Sequence, residues 1–99
     1  MVSSDLSLSV NGADIKLDRF TTSFVAGIVN GMLGALHDAT GAKKTVIVVA
    51  GGKVSIELDS KSLPLNPFVN DTCRNTLFGM ASSLRGVNGI DSLEIHINQ

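Results

Sequence analysis

GMLGAL (Gly31–Leu36) and GMASSL (Gly79–Leu84) stand 48 residues apart in this chain. Each places Gly-Met inside a helical pattern with a Leu four residues after the Met. Working outward from them, residues 6–49 lie over residues 54–97 without a gap, and eight of the 44 pairs are identical. Chance pairing gives about three, and a fixed-period self-similarity is the mark of a repeated unit. The identities include Leu17/Leu65, Phe20/Phe68, Gly41/Gly89 and Ile47/Ile95. The apolar pattern extends the match, with Leu6, Leu8 and Val10 falling on Val54, Ile56 and Leu58. The reading is one domain over residues 1–99, made of an internal repeat, 6–49 and 54–97.

Each half spells the same elements. LSLSV (6–10) and VSIEL (54–58) alternate apolar and polar, as a strand with one buried face does. A turn follows, Asn11-Gly12 or Asp59-Ser60, then a short strand, ADIKL (13–17) or SLPL (62–65). Asp18 and Asn66 are fit to cap a helix, and Pro67 suits the first helical position. The helices are expected to run to about His37 and Arg85, with Gly41 and Gly89 as stop signals. TVIVV (45–49) and SLEIHI (92–97) close the halves as strands, and Gly51-Gly52 joins the halves as a hairpin. The order is ββαβ–ββαβ, an α+β two-layer sandwich with a mostly antiparallel sheet. Read from the second strand it contains βαββαβ, the ferredoxin-like order.

On a helical wheel Phe24, Val25, Ile28, Val29, Met32 and Leu36 share a broad apolar face, and Thr72, Cys73, Thr76, Leu77, Met80 and Leu84 take the same angles. Gly27, Gly31 and Gly34 stand beside that face. A glycine inside a helix costs about 0.5–1 kcal/mol against alanine, so three in one helix call for a close neighbour. The expectation is that the two helices lie side by side and touch at Gly31 and Gly79, with Phe20 and Phe68 in core or cap positions.

Composition limits function. The net charge is −1, the eight cations, among them Lys43, Lys44, Lys53, Lys61, Arg74 and Arg85, are dispersed, and the chain has no Trp or Tyr. Nucleic-acid binders concentrate cations on one face and stack bases on aromatic rings, so no nucleic-acid partner is expected. The apolar run from Phe24 to Leu36 is too short for a bilayer, which needs about 20 residues, so no membrane span is expected. The first residues carry no basic region or apolar segment of a signal peptide. With a single cysteine and no internal disulfide, the compartment reads as reducing, that is, cytoplasmic.

Candidate chemistry is sparse. Cys73 falls on the apolar face of its helix, where a structural thiol is the better reading than a nucleophile. A small thiol-dependent enzyme or redox protein using Cys73 is the alternative function. His37 and His96 sit on different layers without metal-ligand spacing, so no metal or other cofactor is expected. AGGK (50–53) lacks the spacing of a phosphate loop and precedes a strand rather than a helix. Two surfaces remain as ligand or partner sites. Phe78 is expected on the polar side of its helix beside Arg74 and Arg85, like a contact anchor. The sheet face away from the helices carries Ser7, Ser9, Ser55, Glu57, Glu94 and His96 around Val46 and Val48. These features read as a non-enzymatic binding module that contacts a protein partner or a second copy of itself.

Residues 54–97 also carry a family-like pattern. It comprises Pro64 to Val69, Asn75-Thr76, Gly79-Met80, Ser82 to Leu84 with Gly86-Val87, and Glu94-Ile95 with Ile97. It resembles a short domain at the C-termini of some bacterial molybdopterin-guanine dinucleotide biosynthesis proteins. That resemblance implies an accessory module in or near molybdenum-cofactor metabolism. It carries over no nucleotide chemistry and no catalytic residue, since the GTP-binding loop is absent.

Overall fold

The structure, a computed structural model, describes residues 5–36, 41–84 and 86–98. The elements run β1 (Asp5–Val10), β2 (Ala13–Asp14), α1 (Arg19–Gly34), β3 (Lys44–Ala50), β4 (Lys53–Leu58), β5 (Lys61–Ser62), α2 (Pro67–Ser82) and β6 (Ser92–Asn98). The strands form one antiparallel sheet in the order β2-β1-β6-β3-β4-β5. Alternation decides its inner face. Leu8, Val10, Ile47, Val49, Val54, Ile56, Leu93, Ile95 and Ile97 are buried in one cluster with Val25, Val29 and Leu33 of α1 and Cys73, Leu77 and Ala81 of α2. Both helices therefore cover the same sheet face, which makes the expected two-layer α+β sandwich. The ferredoxin-like order does not hold, because three strands, β3, β4 and β5, stand between the helices in the chain and β2 pairs only with β1 at the sheet edge.

The pairing has a two-fold pattern with the spacing of 48. Ser7 pairs with His96 on β1·β6, and Ser55 (7 + 48) pairs with Val48 (96 − 48) on β4·β3. The same shift carries Leu8↔Ile95 onto Ile56↔Ile47, and Ser9↔Asp14 onto Glu57↔Ser62. Ile47↔Ile95 maps onto itself, so a pseudo-two-fold axis passes between the central strands β3 and β6. The buried helix rows obey the shift as well, since Val25, Val29 and Leu33 become Cys73, Leu77 and Ala81.

Local chemistry explains the element ends. Asp18 Oδ1 accepts the Thr21 N–H at 2.7 Å, and Asn66 Oδ1 accepts the Val69 N–H at 2.8 Å. These side chains satisfy N–H groups that the first helical turn leaves without partners. The β1–β2 and β4–β5 turns both have two successive residues at positive φ, Asn11 (53°) with Gly12 (83°) and Asp59 (50°) with Ser60 (69°). That is the hairpin geometry Asn-Gly favours, and Ser60 adopts it without glycine's freedom. The turn side chains also fasten the chain before the next strand. Asn11 Oδ1 accepts the N–H groups of Asp91 and Ser92, and Asp59 Oδ1 accepts those of Lys43 and Lys44.

Three further expectations need correction. The short strands β2 and β5 have two residues each. After Ile15 and Leu63 donate to Leu8 and Ile56, the chain turns towards the helix caps, and Pro64 has no N–H to continue a ladder. The helices end at Gly34 and Ser82, because the last turn closes with i→i+3 bonds from Leu36 to Leu33 and from Leu84 to Ala81. The predicted helix contact at Gly31 and Gly79 does not exist. Both glycines are exposed, and a Cβ on either would meet nothing within 4 Å. The reason is a one-residue shift of the core row. With Val29 and Leu33 facing the sheet, Gly31 lies about 200° away, on the outside of the helix.

Candidate functional site

The residues singled out from the sequence fall on two layers and do not form one site. On α2, Arg74 Nη1 donates to Asp71 Oδ1 at 3.1 Å and to the Gly52 carbonyl at 3.3 Å. Asn70, one turn earlier, accepts the Val54 N–H at 2.8 Å and donates to the same carbonyl. Together they tie α2 to the β3–β4 hairpin, so Arg74 is already engaged within the chain. Phe78 continues this row by one more turn. It is half-buried and packs against the core, not presented on the polar side as the wheel suggested. Arg85 and His37 lie outside the described residues.

The open sheet face brings four predicted residues together. Val46 pairs with His96 and Val48 with Glu94 across the central strands. Ser7 and Ser9 continue these rows on β1, and Glu57 and Ser55 continue them on β4. All four central side chains are half-buried. His96 Nε2 and Glu94 Oε2 are hydrogen-bonded, two residues apart on the same face of β6. Among the described residues no group of three His, Cys, Asp or Glu side chains is placed to hold a metal ion. The face is a shallow polar surface with an apolar centre, and the open pocket that His96 lines with Asp5, Ser7 and Asn98 does not include Glu94.

Cys73 is 4% exposed, in the core row of α2. Burial pushes its thiol pKa up. A nucleophilic cysteine needs the opposite, a lowered pKa and access to solvent. A groove of about 520 Å³ lies where Leu36 meets the β4–β5 edge and the start of α2. Its walls are Leu58, Leu63, Pro64 and Val69, with Lys61 and Asn66 among the polar lining. It holds no acid–base pair.

The feature that sequence reading missed is on the outside of α1. Phe20 is 71% exposed and Phe24 57%, and their rings stack edge-to-face with centroids 5.7 Å apart. Phe68, the counterpart of Phe20, is 76% exposed. These positions correct the expected core or cap placement of Phe20 and Phe68 and the core placement of Phe24. At 100° per residue, Phe20, Phe24, Gly27, Gly31 and Ala35 fall within an arc of about 80°, opposite the core row. All five are exposed. The equivalent arc on α2 holds Phe68, Thr72, Asn75, Gly79 and Ser83, also exposed. The signal was present as a stretch of 17 residues, Phe20–Leu36, without one Asp, Glu, Lys or Arg.

Comparison with known proteins found no matching family model, no matching curated protein and no matching solved structure. Among the described residues, no helix is long and apolar enough to cross a membrane.

Proposed function

We propose that this chain is a small non-enzymatic interaction module that binds protein through the outward stripe of α1. The observation that carries the reading is a comparison internal to the fold. α1 and α2 bury equivalent rows against the same sheet face, Val25, Val29 and Leu33 on one and Cys73, Leu77 and Ala81 on the other, so their outer arcs can be compared position by position. Both outer arcs begin with an exposed phenylalanine, Phe20 or Phe68, but beyond it α2 has the composition of a solvated arc, with Thr72, Asn75 and Ser83. α1 carries Phe24, Gly27 and Ala35 at those positions. An exposed aromatic pair beside small residues is the composition of an interface centre, where large rings anchor and charges are depleted.

The halves are read as copies of one unit whose outer helix faces have diverged, a reading supported by the shared register of 48 in sequence and pairing. A setting in molybdenum-cofactor metabolism is supported by the resemblance of residues 54–97 alone, and a cytoplasmic location by the single cysteine alone. No observation favours thiol chemistry at Cys73.

The test is site-specific photo-crosslinking. A photoreactive phenylalanine analogue at position 24 is compared with the same analogue at position 72, its α2 counterpart. A discrete crosslinked product at 24, identified by mass spectrometry and missing at 72, supports the reading. Equal yields at the two positions, or no product at 24, refute it.

A further inference from the structure

The outward stripe of α1 is self-complementary, and we propose that it docks against the same stripe of a second copy, α1 antiparallel to α1. This rests on the interaction reading above and names its partner. Large residues occupy one end of the stripe, Phe20 and Phe24, and small ones the other, Gly31 and Ala35. A two-fold axis crossing the helix near Gly27 pairs position i with position 55 − i of the partner copy. Position 24 then meets 31, and position 20 meets 35. Each ring thus faces a residue with little or no side chain, on both copies at once. That is the reciprocal pattern a closed two-fold interface requires.

Three further observations show that a second copy fits this face. The helix carries no charge from Phe20 to Leu36, so two identical faces meet without repulsion. The glycines are open, since a Cβ at Gly27 or Gly31 would touch nothing within 4 Å, and a second backbone can approach closely there. The helix is 16 residues, about 24 Å, long enough for both ring–glycine contacts on either side of the axis. The exposed parts of the two rings amount to about 250 Å² per copy, taking about 200 Å² for a whole phenylalanine. With the rest of the stripe, the total for the pair comes to about 800 Å², below a standard stable interface. An interface of that size belongs to weak, reversible association, and a Kd of about 10–100 µM sets the concentrations at which to look for it.

Sedimentation equilibrium of the whole chain from about 5 to about 500 µM tests this, spanning the expected Kd. Wild type is expected to pass from monomer to dimer over that range. Phe24→Asp weakens dimerisation by about tenfold or more. Gly31→Leu, which fills the receiving site without touching the core row, does the same, and Thr72→Asp on α2 does not. In an oxidising mixture, Phe24→Cys and Gly31→Cys chains form the mixed disulfide faster than either forms its own. A chain that stays monomeric to about 500 µM overturns the proposal. So does a dimer that Phe24→Asp and Gly31→Leu leave intact, or self-disulfides that outpace the mixed one. A monomeric chain that still crosslinks a different protein at position 24 overturns self-docking while leaving the interaction reading standing.

Discussion

Replacing Gly27 and Gly31 together by alanine should stabilise the isolated chain, although both glycines sit in the stripe proposed to bind. Both are in the interior of α1, exposed, and no atom lies within 4 Å of the place an alanine methyl would take. The substitution removes two helix-interior glycines, each worth about 0.5–1 kcal/mol, so the pair gains about 1–2 kcal/mol. For a domain of this size that raises Tm by roughly 5–10 °C. The assay is urea unfolding at about 5 µM, below the self-association range, with the slope m unchanged. Gly52→Ala is the opposing control. Gly52 has φ +77°, and a Cβ there would lie 3.9 Å from Arg74, so alanine costs about 1 kcal/mol through the left-handed backbone. A double alanine variant less stable than wild type would refute the reasoning, because it would mean that something inside the monomer needs those glycines.

Ser60→Gly should stabilise the chain by about 1 kcal/mol, since Ser60 sits at φ +69° where its counterpart is Gly12, and the shift of the urea midpoint measures it. Asn70→Ala should cost about 1–3 kcal/mol, because it leaves the partly buried Val54 N–H without its acceptor; hydrogen exchange at Val54 should speed up with it. Thiol reagents should label Cys73 at the rate at which the chain opens, and quickly only in denaturant. Since burial raises the Cys73 pKa, its contribution to stability is full below the unfolded thiol value of about 8.5 and is lost as pH rises through the folded value. Urea titrations of wild type and Cys73→Ser across that range should differ in slope with pH.

The architecture was legible because strand alternation is unforgiving. Shifting a strand by one residue reverses every side chain, so Leu8, Ile56, Ile47 and Ile95 could face only one way. The caps at Asp18 and Asn66 were legible because their chemistry is local. The helix faces were harder. The apolar arc of α1 is wider than the core needs, spanning Phe24 through Leu33, so the wheel alone could not say which row meets the sheet. A core row placed one residue early turns Gly31 inward and hides Phe20 and Phe24 in the core. Phe78 was misplaced for a related reason. Its place one turn after Arg74 and two after Asn70 carries it along the flank of α2 that the β3–β4 hairpin holds down, and that tie depends on contacts far apart in sequence. The His96–Glu94 pair was visible from its i, i+2 spacing, but its neighbours Val46 and Val48 came from a strand order the sequence left open.

The outward stripe of α1 is tested most directly by amide chemical shifts recorded on a dilution series of the native chain. Concentration-dependent shifts are expected at Phe20, Phe24, Gly27, Gly31 and Ala35, with none at Phe68, Thr72, Asn75, Gly79 and Ser83. Shifts of equal size on the two helices, shifts confined to the open sheet face around Val46 and His96, or no shifts at all would contradict it.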